Sequence, residues 1–198
     1  MPGLSDMEAW SDNELVSASR DGKTDAYEEL VHRHRDKIYA RAFSMVRNEE
    51  QALDLSQEAW IKGWQRLHQF HGDSSFATWM TRITINLCLD YLRKAKRQRA
   101  ESVEALEENQ GGVERHLPVI VPNPTARIER AELREKIDQA LGRLSEDHRT
   151  VLVLHEFEEL AYKEIAERLK CSIGTVMSRL FYARRKMGVA MRELLREG

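Results

Sequence analysis

The stretch Ala161–Met187, AYKEIAERLKCSIGTVMSRLFYARRKM, decides the fold. It reads as two short helices with a tight turn between them. Ile165, Ala166 and Leu169 give the first an apolar face, and Val176, Leu180 and Ala183 recur at helical spacing in the second. Ser172 stands where a side-chain oxygen can cap the free N–H groups of the second helix. Ala166 is small where two crossing helices need close approach, as a helix-turn-helix requires. From Arg168 to Arg192 there is no acidic residue, whereas Lys170, Arg179, Arg184, Arg185, Lys186 and Arg192 are basic. Such a helix suits a major groove lined by phosphates. The same pattern also fits the solvated face of an ordinary helical hairpin, so this stretch alone leaves both readings open.

Composition sets the frame for that hairpin. Among 198 residues, 41% are apolar, 32% are charged and only four are proline, which predicts an all-α protein with thin cores. The formal charge of −2 hides segregation, because acids and bases are blocked along the chain. Local patches rather than net charge therefore decide whether a polyanion can bind. The opening MPGLSDMEAW has neither the basic nor the apolar region of a signal peptide, and no apolar run approaches the roughly 20 residues of a membrane span, so no membrane insertion is expected. Cys88 and Cys171 lack metal-ligand spacing and read as reduced packing residues of a cytoplasmic protein; no metal or cofactor is expected.

Upstream, residues 11–21 read as a short helix ended by Gly22, and Thr24 and Asp25 supply cap chemistry for a long one. Its apolar stripe is Tyr27, Leu30, Val31, His34, Ile38, Ala42 and Met45. His34 lies on that stripe with no second ligand at helical spacing, so it reads as a core histidine. Asn48 with Gln51 marks the next start, of a helix over 49–70. Ala52, Leu55, Ala59, Gly63 and Leu67 face the first helix, while Leu53, Trp60 and Trp64 form a second stripe that either completes a core or docks a partner. His71–Ser75 is a turn, and a third long helix starts at Phe76 and ends in Arg93, Lys94, Lys96, Arg97 and Arg99. Those cations favour a helix C-terminus; with Phe70, Phe76 and Trp79 they also suit single-stranded nucleic acid, a reading ranked second on the residues alone.

At Glu101 the composition turns acidic, and Gly111, Gly112, Pro118, Pro122 and Pro124 follow, the punctuation of a linker. Its acidic run could be drawn to Arg93–Arg99 or Arg184–Lys186. Beyond it, a helix over 126–144 carries Ile137, Leu141 and Leu144, and Ser145, Glu146 and Asp147 open another with Val151, Leu152, Leu154 and His155 on its core face. The expected organisation is an extension (1–24), a helical domain (25–99), a flexible linker (100–127) and a second small helical domain containing the helix-turn-helix (128–198).

Read together, several segments resemble the extracytoplasmic-function (ECF) group of the sigma-70 family. Asp54–Trp60, DLSQEAW, is similar to the helix that binds the clamp of RNA polymerase. Phe70–Trp79, FHGDSSFATW, and Ile85–Lys94, INLCLDYLRK, resemble the loop and helix that capture a flipped base and open the minus-ten element. Leu144–Leu152, LSEDHRTVL, and Ser172–Leu180, SIGTVMSRL, resemble the domain that reads the minus-thirty-five element. The resemblance implies core RNA polymerase (beta-prime clamp and beta flap), promoter DNA and an anti-sigma factor as partners, the last of which would hold the protein at a membrane. It assigns polymerase binding to Asp54, Leu55, Gln57, Glu58, Trp60 and Ile61. It assigns minus-ten DNA to Phe70, His71, Asp73, Ser74, Ser75, Phe76, Trp79, Arg82, Asn86, Arg93 and Lys94. It assigns minus-thirty-five DNA to Ser172, Thr175, Met177, Ser178, Arg179, Phe181, Tyr182, Arg184 and Arg185.

Met177 and Tyr182 depart from the family, which often has a basic residue at those positions; fewer donors leave more of the readout to DNA shape. A stand-alone dimeric helix-turn-helix regulator is the competing reading, but it needs a dimer seam that the sequence does not offer. An enzyme is not expected: there is no glycine-rich phosphate loop, and Glu107–Glu108 and Glu158–Glu159 are adjacent residues that do not converge.

Overall fold

Eight α-helices make up the regular structure of the described residues, and no strand occurs among them. The computed structural model describes the backbone of residues 7–102 and 124–196, with side chains at 7–99 and 132–196. The acidic and Val119–Val121 parts of the expected linker lie outside the described residues. The chain divides into two compact units, Met1–Glu107 and Glu108–Gly198.

In the first unit, α1 (Asp12–Arg20) is closed by a capping box: the Ser11 side chain accepts from the Glu14 N–H, and the Glu14 carboxylate accepts from the Ser11 N–H at 2.7 Å. The long helix α2 (Thr24–Val46) follows. Its N-cap is Lys23, with no side-chain cap, and Thr24 and Asp25 already lie inside the first turn. The cap chemistry expected of them is therefore not used, although Asp25 still faces the positive end of the helix dipole. The expected stripe is buried at Tyr27, Leu30, Ile38, Ala42 and Met45. Asn48 caps α3 (Glu49–Gln65) by accepting from the Gln51 N–H at 2.9 Å.

The helix expected to reach residue 70 stops at Gln65, and a 3₁₀ turn, Leu67–Gln69, replaces its end. Helix α4 (Phe76–Ser102) packs with α3 against α2. Gly63 is required by that packing. A Cβ there would lie 2.5 Å from Met80 Sδ on α4 and 2.8 Å from the Tyr27 hydroxyl on α2. The core so formed includes Leu15, Leu30, Ile38, Met45, Phe76, Met80 and Ile85, each essentially inaccessible.

In the second unit, α5 (Pro124–Gly142) begins with proline at its first position, where the missing N–H costs nothing. It starts two residues ahead of the expected 126. Helix α6 (Glu146–Leu152) passes into a π-type turn, Val153–Phe157. Glu159 in the left-handed region (φ 55) then redirects the chain, and the Leu160 N–H returns to the Leu154 carbonyl at 3.1 Å. Helices α7 (Tyr162–Leu169) and α8 (Ile173–Leu194) form the helix-turn-helix. Lys170 closes α7 in the left-handed region (φ 52), and the Ser172 hydroxyl accepts from the Thr175 N–H at 3.0 Å to open α8. Val151–Leu154, Ile165, Ala166, Val176, Leu180 and Ala183 form the core, with Ala140, Ala190 and Leu194 joining α5 to the end of α8.

Candidate functional site

Three surfaces collect the residues singled out in the sequence. The first is a face of α3. Asp54, Gln57, Glu58 and Ile61 stand at helical spacing and are exposed, Ile61 at 59% and its neighbour Leu53 at 50%. Glu58 pairs with Lys62 at 2.7 Å. Leu55 points the other way, into the core, so it supports this face without forming part of it. The two tryptophans pack within the unit, and Trp64 also keeps part of its ring at the surface. The edges of the Tyr27, Trp60 and Trp64 rings meet, with centroids 6.1 and 4.9 Å from Tyr27, and the Tyr27 hydroxyl donates to the Trp60 carbonyl at 2.7 Å. Trp64 nevertheless remains 38% exposed, beside Leu53 and Ile61 in the sequence of that helix.

The second surface is the 70–75 loop and the start of α4. His71, Asp73 and Ser75 are exposed, Ser74 is half-buried, and Gly72 adopts φ 85, which favours glycine at the tip of so tight a turn. The Ser75 hydroxyl accepts from the Thr78 N–H at 3.1 Å and so caps α4. Beneath the loop the rings of Phe70, Phe76 and Trp79 lie 5.5–5.9 Å apart, and the His34 and Trp60 rings lie 5.8 and 6.5 Å from Phe76. Phe70 and Phe76 are buried, at 4% and 1%, whereas Trp79 keeps part of its ring accessible. The first two therefore build the floor of the loop, and Trp79 is the aromatic that can reach a ligand. Along α4, Arg82, Asn86, Arg93 and Lys94 are exposed, with Arg93 held by Asp90 at 2.6 Å. Cys88 is buried in this helix, and burial pushes its thiol up to about 12, which makes it a packing residue.

His34, expected as a core histidine, is only half-buried, and its Nε2 donates to Asp12 at 2.8 Å. Sequence reasoning missed the neighbours of that contact. Arg33 donates to the carbonyls of Met7, Glu8 and Trp10, and Arg20 donates to those of Leu67 and Phe70. Backbone acceptors so far away in the chain leave no pattern in the sequence.

The third surface is the outer side of α8. Ile173, Met177, Phe181 and Tyr182 are 46%, 54%, 63% and 51% exposed, an apolar concentration unusual for a solvent-facing helix. Ser178 and Arg185 are exposed among them, Thr175 is half-buried, and Ser172 serves as the cap. A groove lined by Tyr162, Met177, Leu180, Phe181, Arg184 and Arg185 runs along this side. Two of the cations are tethered within the unit: Arg179 pairs with Asp147 and Arg184 with Glu156, each at 2.7 Å. They brace α8 against α6 and the π-type turn while presenting their charge at the surface.

No cluster of three or more metal-ligating side chains occurs among the described residues, and none of their helices is long and apolar enough to cross a membrane.

Comparison with known proteins places the chain in a family. Residues 30–98 match the sigma-70 region 2 model, and residues 134–187 match the sigma-70 region 4 model. The RNA polymerase sigma-H factor of Pseudomonas aeruginosa is 36% identical over 186 residues, covering 94% of this chain and 96% of that one. The ECF RNA polymerase sigma-E factor of Escherichia coli K12 is 34% identical over 193 residues, covering 96% and 98%. In fold, the chain is similar to the solved sigma factor RpoE in complex with the anti-sigma factor NepR from Bartonella quintana, with a TM-score of 0.53, 24% identity and coverage of 86% and 96%. With relatives of this identity matched over nearly their full length, the chain belongs to the ECF group of the sigma-70 family of RNA polymerase sigma factors.

Proposed function

We propose that this protein is an alternative sigma factor: it joins core RNA polymerase and directs promoter recognition, DNA melting and the start of transcription. It is an initiation factor, not an enzyme, and works without a cofactor of its own. The observation that carries the reading is the near full-length match to sigma factors, combined with an exposed face on the α3 segment that resembles the polymerase-binding helix. In this reading Asp54, Gln57, Glu58 and Ile61, with Trp60 beside them, meet the clamp of the polymerase.

The 70–75 loop and α4 act on the minus-ten element. Pulling a base out of the stack costs a few kcal/mol, and a loop already shaped by a packed aromatic floor has less ordering to supply when the base arrives. His71, Asp73, Ser74 and Ser75 offer polar groups for such a base, Trp79 offers a ring for stacking, and Arg82, Asn86, Arg93 and Lys94 line the path of the strand. Helix α8 meets the minus-thirty-five duplex. Arg179, Arg184 and Arg185 supply charge to phosphates, while Ser172, Thr175, Met177, Ser178, Phe181 and Tyr182 face the bases or the sugar edge. An anti-sigma factor as regulator, a cytoplasmic location and retention at a membrane through that factor belong to the same proposal.

Reconstitution with bacterial core polymerase, followed by run-off transcription on fragmented genomic DNA of the source organism, tests it. Discrete transcripts are expected with the wild-type protein, and they should vanish for the Asp54→Ala, Gln57→Ala double variant while its fold is unchanged. Retained duplex binding with no affinity for core polymerase would instead favour a stand-alone regulator.

A further inference from the structure

The base of the 70–75 loop is held by a side chain that precedes the region 2 match, which starts at residue 30. Arg20, the last residue of α1, donates from Nε and Nη2 to the Leu67 carbonyl at 3.1 and 3.0 Å, and from Nη2 to the Phe70 carbonyl. These two carbonyls bracket the 3₁₀ turn from which the loop departs. One planar fork thus ties both ends of the turn, and its positive charge sits where the carbonyls of the turn point, the favourable end of its dipole. Phe70, whose carbonyl is the second anchor, contributes the ring that floors the loop against Phe76 and Trp79.

The lever that carries Arg20 is itself fixed. Leu15, Val16, Ala18 and Ser19 of α1 are buried. His34 holds Asp12 at the start of α1, and Arg33 gathers the carbonyls of Met7, Glu8 and Trp10 just ahead of it. Anchored in this way, α1 can transmit position to the loop through a single guanidinium.

We propose that Arg20 is a positioning residue for promoter opening: through the Leu67 and Phe70 carbonyls it fixes the loop that receives the melted minus-ten strand. The proposal rests on the sigma-factor reading for its functional half, while its structural half can be tested without it. Arg20 is exposed, so its replacement leaves the core intact.

In the full chain, amide-resolved hydrogen exchange should show the Gln69 and Phe70 amides, which donate within the turn to Arg66 and Leu67, exchanging about tenfold faster in Arg20→Gln than in the wild type. Amides of α2 and α3 should not change. Arg20→Lys, which keeps the charge but not the fork, should fall between. In reconstituted holoenzyme, on a promoter recovered with the wild-type protein, Arg20→Gln should lower permanganate reactivity of minus-ten thymines about tenfold at unchanged affinity for core polymerase.

Unchanged exchange at Gln69 and Phe70 would overturn the proposal. So would faster exchange spread through the whole unit, which marks a residue of general stability, or faster local exchange with normal promoter opening. If the wild-type protein opens no promoter, the sigma-factor reading fails, and the exchange data still decide whether Arg20 positions the loop.

Discussion

Around the loop of the first unit and on α8 of the second, aromatic residues are used in opposite ways. In the first, Phe70 and Phe76 are buried beneath a polar loop, and of the three rings packed there Trp79 alone keeps an accessible edge. In the second, Phe181 and Tyr182 lie on the surface of α8 with Met177, and the core beneath is aliphatic: Val151, Leu152, Leu154, Ile165, Val176 and Leu180. A buried ring shapes what sits above it; an exposed ring is accessible to a partner. The contrast matches the tasks proposed for each unit. Receiving an unstacked base needs a pocket held in shape, whereas lying in a groove needs a protruding ridge.

The sharpest way to break this contrast is a pair of alanine substitutions. Phe76→Ala removes a ring that meets His34, Trp60, Phe70 and Trp79, and should destabilise the first unit by about 3–5 kcal/mol. Phe181→Ala removes a ring that is 63% exposed, and should change stability by no more than about 0.5 kcal/mol. Urea unfolding followed by circular dichroism reads both. A large loss from Phe181→Ala would show that the α8 aromatics are structural, and the distinction between floor and ridge would fall.

Gly63→Ala probes the same unit at its tightest crossing. The added methyl meets the Met80 sulfur and the Tyr27 hydroxyl, and Tyr27 is further held by its bond to the Trp60 carbonyl. Met80 can shift, but the tyrosine ring is rigid and anchored, so a cost of about 1–3 kcal/mol is expected. Because Tyr27 also packs on Trp60 and Trp64, the strain should reach the α3 face. A shift in tryptophan fluorescence together with a lower Tm would report it, and a neutral Gly63→Ala would mean that the helices can separate freely there.

Much of this arrangement is legible in the sequence because local rules govern it. The stripe from Tyr27 to Met45, the caps at Asn48 and Ser172, and the small Ala166 at the helix crossing all follow from spacing and side-chain type. What stays hidden is settled between distant segments. Leu55 lies in a motif whose resemblance assigns it to polymerase binding, yet its position on the helix turns it inward. Lys23 displaces Thr24 as the N-cap because the turn through Gly22 (φ 89) ends one residue early. The π-type turn at Val153–Phe157 gives no signal in an apolar run that continues the helical pattern. Arg20 and Arg33 look like ordinary surface cations until the chain brings backbone carbonyls to them.

The smallest expected effect concerns the electrostatics of the ridge. Burial lowers the His148 pKa from its ordinary 6.5; the Lys186 and Arg179 cations lower it further, against the opposing Asp147 carboxylate. Its Nδ1 shares a hydrogen bond with the Ser145 hydroxyl at 2.8 Å, and its ring lies 6.4 Å from Tyr182. The folded protein therefore takes up a proton here less readily than the unfolded chain. Stability from this group is complete above pH 6.5 and is lost as the pH falls through the lower folded value. Unfolding of the second unit should become slightly easier on acidification across that window, and His148→Gln should flatten the dependence. An NMR titration of the His148 ring gives the direct check. A midpoint above 6.5 would mean that Asp147 outweighs burial and the two cations, and that acid strengthens the hold of α6 on the ridge instead of loosening it.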